Sequence, residues 1–195
     1  MLAGEGVKQI LYSEIEDIGK EKIQADITSS IELSQPYIDK IMSKCIARLA
    51  YESSDNDNDD IDPAIGTLCE ALLHFMLTTC TLPSERKVKA KNDLVLDVVV
   101  PNLQSLTKNP AKAIIIQIIK DRVVMDSNEI SVLEFLQPNY MNIWLISVRP
   151  LLTKKYTTYS VFPNNAVSHN NYSTIIVDIN DFLNEIRDKS FRFVH

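Results

Sequence analysis

"AIIIQIIKD", residues 113–121, decides the fold. Side chains alternate across a strand, and here both sides are apolar, so the segment reads as a strand covered on both faces. Yet Gln117 stands in its middle and Lys120 at its end, an amide and an ammonium that are each costly to bury without a partner. A second run, "LVLDVVVP" at 94–101, has the same character and is interrupted by Asp97. Strands without a polar face need layers above and below them. The expected class is therefore α/β (α+β), a central mixed β-sheet flanked by helices.

Outward from these two runs, "ERKVKAK" (85–91), "NIWLISVRP" (142–150), "KYTTYSVFP" (155–163) and "YSTIIVDI" (172–179) also read as strands, with stops at Pro101, Pro150 and Pro163. "SNEISVLEFLQP" (127–138) reads as a helix with Ser127 as N-cap and Ile130, Leu133 and Phe135 turned to the core, and "NDFLNEIRDK" (180–189) as the last helix. Before residue 85 the period is helical. Val7, Ile10, Leu11, Ile15 and Ile18 form one stripe, and Ile38, Ile41, Met42, Cys45, Ile46 and Leu49 another, the latter opened by Pro36. A third helix starts with Asp62 as N-cap and Pro63 at its first position, and buries Ile65, Leu68, Cys69, Leu72, Met76 and Thr79. Glu70 and His74 lie four residues apart on its flank. The division expected is an N-terminal helical region at 1–52, an acidic linker at 53–62 and an α/β domain at 63–195.

The acidic stretch "SSDNDNDDIDPAIG" (53–66) superficially fits a calcium loop, with Asp55, Asp57 and Asp59 at the first, third and fifth positions. Asp60 stands where the turn needs glycine and Gly66 where a bidentate Glu belongs, so a solvated, self-repelling linker is the reading. Cys45, Cys69 and Cys80 are odd in number, lack C-x-x-C spacing and fall on apolar helical faces, the pattern of buried free thiols. His74, His169 and His195 have no zinc spacing, and no nucleophile elbow, P-loop or dinucleotide fingerprint is present. No apolar run approaches the roughly 18 residues of a membrane span, and the first residues lack signal-peptide character, so a cytoplasmic location is expected.

Charge is divided unevenly. Residues 1–84 carry 6 Lys and Arg against 15 Asp and Glu, whereas residues 85–195 carry 14 against 11. The basic excess in the second part favours an anionic partner there. Lys154, Lys155, Tyr156 and Tyr159 mix cations with aromatics as single-strand binders do, or alternate on an exposed hairpin strand. Trp144 is read as core.

A helix bearing Glu70, a strand, a strand with Asp97 embedded, a strand ending in Lys120, a helix and a further strand together resemble the core of the restriction-endonuclease-like superfamily, whose motif is PD-(D/E)xK. The resemblance covers about residues 63–150. It implies that Asp97 and Glu70 ligate Mg2+ or Mn2+, that Lys120 orients or activates the attacking water, and that DNA or RNA is the partner. The pattern is incomplete: Ile118 stands where the acid two residues before the Lys belongs, and Leu96 precedes Asp97 in place of Pro. Gln117 replaces the acid only if a bulge intervenes, because by strand alternation Lys120 points the other way.

Two functions remain open at this point. One is a metal-dependent nuclease-like or degenerate nuclease-fold nucleic-acid-binding domain, with Lys120 and Gln117 as catalytic residues and Asp97 and Glu70 as metal ligands. The other is a non-catalytic protein-interaction module whose acidic helices contact a protein partner or a second copy of the chain, since the "IDKIMSKCIARL" stripe (38–49) must be buried somewhere. Lys120 snorkelling out of its strand and Asp97 pairing with backbone at a strand bend would account for both residues without any chemistry.

Overall fold

A computed structural model describes residues 4–53, 61–90, 94–120, 126–163 and 170–191. The calcium-like Asp55–Asp60 stretch, His169, His195 and the residues directly after Lys120 lie outside them. Four helices come first: α1 (Gly4–Ile18), α2 (Lys20–Ser29), α3 (Ser34–Ser53) and α4 (Asp62–Thr79). Then follow β1 (Glu85–Lys89), β2 (Val95–Val100), α5 (Leu103–Lys108), β3 (Ile114–Ile119), α6 (Ser127–Leu136), β4 (Ile143–Ser147), β5 (Thr157–Ser160), β6 (Asn170–Asn171) and α7 (Ile175–Phe191). Among the described residues the strands form one sheet in sequence order. The β1–β2 and β2–β3 pairs are antiparallel and the β3–β4, β4–β5 and β5–β6 pairs parallel, the mixed sheet that the sequence predicts.

Both faces of the sheet are covered, as the continuous apolar runs require. On one side Val98, Val100, Ile114, Ile116, Ile118, Trp144 and Ile146 join a core built with α1, α2, α3, α4 and α7. On the other Val99, Ile115, Ile143 and Leu145 pack with Leu106 of α5 and Leu133 of α6. α4 is buried over a wide arc, with Ile65, Leu68, Cys69, Leu72, Leu73, Met76 and Leu77 all inaccessible, because it lies between the sheet and the N-terminal helices. The α3 stripe of Ile38, Ile41, Met42, Cys45 and Leu49 is buried in that same core. The surface expected to seek a partner is thus consumed within the chain. Cys45 and Cys69 are buried free thiols, and burial pushes the Cys45 thiol up to about 12.

Several local expectations are corrected. "YSTIIVDI" is not a strand: after a short turn capped by the Asn171 side chain, Ile175, Ile176 and Ile179 bury one face of α7. The following Phe182 and Leu183 extend the 3.6-residue period, and tertiary packing overrides β-branched propensity. Gly19, at φ +97°, divides the first helical stretch into α1 and α2. The connection after Pro101 holds α5, whose N-cap Asn102 accepts from Ser105 N at 2.8 Å. Asp62 is the first residue of α4, and its carboxylate receives Arg149 Nε at 2.9 Å. Asp126, the residue before Ser127, caps α6, and Phe135 on that helix is 70% exposed. β5 runs parallel to β4 instead of forming a hairpin, and its Tyr159 is buried, donating to Asp178 Oδ2 at 2.9 Å. Trp144 is core, as expected.

No helix among the described residues is long and apolar enough to cross a membrane.

Candidate functional site

β3 keeps strict alternation. Ile114, Ile116 and Ile118 face the α4 side, Ile115 the other, and Lys120, just past the strand end, turns to α4. Gly66 makes this approach possible: a Cβ there would stand 2.9 Å from Lys120 Cα and 3.1 Å from its Cγ. One helical turn further along α4, Glu70 Oε2 receives Lys120 Nζ at 2.5 Å. The glycine thus brings a strand end against a helix, and the helix period sets the carboxylate in reach of the ammonium.

β1 and β2 break the same rule together. Their ladder stays in register, with Arg86 opposite Val98 and Val88 opposite Leu96. Val98 nevertheless belongs to the α4-side core, whereas Leu96 and Val88 belong to the opposite one. The facing therefore flips between these pairs, where Lys87 stands opposite Asp97. Lys87 carries the strain of the flip, with φ +49°, a left-handed conformation uncommon for a residue with a side chain. Strict alternation would set Asp97 on one face with Val95 and Val99. The flip instead delivers Asp97 to the α4 side.

Five charged groups meet there. Lys87 Nζ lies 2.6 Å from Asp97 Oδ1 and 2.8 Å from Glu70 Oε1, Lys120 holds Glu70 Oε2, and Arg86 Nη2 lies 3.7 Å from Glu70 Oε1. The two carboxylates are 13% exposed, and the lysines are 47% (Lys87) and 36% (Lys120) exposed. Burial alone would push the Glu70 carboxyl up; hydrogen bonds from Lys120 and then Lys87 outweigh it and leave it below its ordinary 4.5. Burial likewise opposes the Lys87 charge, but Asp97 and Glu70 overcome it and raise its pKa above 10.5. His74, one turn beyond Glu70, is exposed; partial burial and Arg86 lower its pKa.

Gln117 serves from the other direction. Its Oε1 accepts from Asp97 N at 2.6 Å and its Nε2 donates to Val95 O at 3.4 Å. Asp97 Oδ2 returns the tie by accepting from Ile118 N at 2.8 Å. The β2–β3 ladder runs from Val100 opposite Ile114 to Val98 opposite Ile116, and beyond it these side chains join the strands. Gln117 thus fixes the backbone that carries Asp97, while Glu70, Asp97 and Lys120 converge. Lys87 and Gly66 were missed by sequence reading. Lys87 had one signal, since Val88 as an inward residue sends its neighbour to the opposite face; the Gly66 signal is visible only once α4 and β3 are placed together.

The donor set bears on a metal. Asp97 Oδ1 and Glu70 Oε1 already converge on one cationic nitrogen, and two carboxylates with water are the oxygen donors that would hold a single Mg2+ or Mn2+. Such an ion would supply Lewis acidity and lower the pKa of a bound water. Among the described residues no group of three or more His, Cys, Asp and Glu side chains is disposed to hold a metal.

A mixed sheet between helices, with Asp97 on one central strand, Lys120 at the end of the next and Glu70 on the covering helix, has a restriction-endonuclease-like fold. The restriction endonuclease PspGI, solved in complex with substrate DNA, matches 92% of this chain and 93% of its own with a TM-score of 0.61 at 14% identity. Ecl18kI, solved metal-depleted with uncleaved, modified DNA, matches over 91% and 78% with a TM-score of 0.48 at 11% identity. No protein-family model matches the sequence, and no curated protein does.

Proposed function

We propose that this chain is a nuclease-like domain that binds nucleic acid, DNA foremost, and acts on its phosphodiester backbone with one divalent cation. The observation that carries the reading is the meeting of Asp97, Glu70 and Lys120 from three separate elements at one partly open corner of the sheet. Asp97 and Glu70 are the ligands for Mg2+ or Mn2+, Lys120 orients a water or a phosphate oxygen, and Gln117 acts as a positioning residue through Asp97 N. The cations here, Lys87, Lys120 and Arg86, outnumber the two carboxylates, which suits a phosphate partner.

The missing acid at Ile118 favours a second reading, a binding domain of the same fold without turnover. Cleavage of labelled single-stranded, duplex and branched DNA and RNA with Mg2+ or Mn2+ separates the two. Metal-dependent cutting that is lost in Asp97→Ala and in Lys120→Ala establishes the nuclease. Binding without cutting, weakened by Lys120→Ala, leaves the second reading. Neither cutting nor binding by the folded protein overturns both.

A further inference from the structure

The two carboxylates divide their oxygens. Asp97 Oδ2 is held by Ile118 N at 2.8 Å and Glu70 Oε2 by Lys120 Nζ at 2.5 Å, both partners anchored by β3 and its packing on α4. The other two oxygens, Asp97 Oδ1 and Glu70 Oε1, share the Lys87 ammonium. Lys87 differs from Lys120 in its freedom. It is the more exposed of the two, it belongs to β1 at the edge of the sheet, and it sits on a strained backbone. Its four-carbon stem lets the ammonium leave without moving the strand.

We propose that Lys87 is a built-in counter-ion that occupies the cation position between Asp97 and Glu70 and competes with a divalent metal for it. Metal entry then releases Lys87 toward solvent, where its ammonium is available to a phosphate of the bound nucleic acid. The inference rests on the metal-dependent reading above. It adds a residue outside the family motif, with the opposite sign of effect from the ligands: removing Lys87 strengthens metal binding, whereas removing Asp97 abolishes it. One displaced ammonium at a partly exposed site corresponds to about tenfold in affinity.

The test titrates Mn2+ alone into the full chain by calorimetry. Lys87→Met is expected to bind Mn2+ about tenfold tighter than the wild type, Lys87→Arg to stay within about threefold of it, and Asp97→Ala to bind none. If Lys87→Met binds equally or more weakly while Asp97→Ala has lost the ion, competition is overturned and the metal site stands. If no variant binds Mn2+, the metal reading falls and the inference with it. A second measurement needs no substitution: the rate at which an amine-acetylating reagent modifies Lys87, read by mass spectrometry, is expected to rise severalfold on adding Mn2+. An unchanged rate under saturating Mn2+ overturns the inference.

Discussion

β2 and β3 are two apolar strands, each interrupted by one polar residue, and they resolve the interruption in opposite ways. β3 holds its alternation to the end, so Gln117 stays on the side away from α4 and spends its amide on the neighbouring backbone. β2 gives up alternation at Asp97 and, with β1, turns that side chain toward α4. A neutral amide can be satisfied inside the sheet by two backbone groups. A carboxylate needs cations as well, and the strands distort to bring it to them. The regular strand supplies the anchor and the irregular one the charge.

Gly66→Leu attacks the anchor and is expected to have the largest effect. Its Cβ would meet the Lys120 backbone, and overpacking of this kind costs about 1–3 kcal/mol. A urea midpoint lowered accordingly, with loss of whatever activity Lys120 supports, is the expected outcome; an unchanged midpoint would mean that β3 does not lie against α4.

Gln117→Leu comes next, since it removes the acceptor of Asp97 N while keeping the bulk. An unsatisfied buried group costs about 1–3 kcal/mol. Amide hydrogen exchange at Asp97 should accelerate in this variant, and a rate equal to wild type would show that the strand junction does not depend on the amide.

Charge gives a smaller, pH-dependent effect. The folded Glu70 pKa lies below 4.5, so its contribution to stability is present above that value and is lost as pH falls through the lowered one. The folded Lys87 pKa lies above 10.5, so its contribution is complete below 10.5 and is lost as pH rises through the raised value. Lys120→Met removes the foremost group lowering Glu70, and its acid unfolding should therefore begin at higher pH than that of the wild type. Coincident acid limbs would contradict the pairing.

The smallest effect is expected for Lys87→Met, below about 1 kcal/mol in chemical denaturation, because nearly half of that side chain is exposed. A loss of several kcal/mol would make Lys87 a structural clasp.

The apolar runs made the sheet, its two covered faces and the wide burial of α4 legible, because burial on both sides leaves no polar period to mask. Asp97 and Lys120 were legible as polar exceptions to those runs, and Glu70 as a carboxylate on the flank of the preceding helix. Lys87 was not, since a lysine on a strand with alternating charge reads as solvated, and its one signal was the inward Val88 beside it. The α7 start was misread because Ile175, Ile176 and Ile179 fit a buried strand and a buried helix equally over so short a window.

The most direct measurement is a crystal structure of the full chain grown with Mn2+, read by anomalous scattering. The expected result is one manganese between Asp97 Oδ1 and Glu70 Oε1, with Lys87 Nζ moved away and Lys120 still on Glu70. A structure at saturating Mn2+ in which Lys87 still bridges the two carboxylates and no manganese lies there would contradict a metal centre at this site.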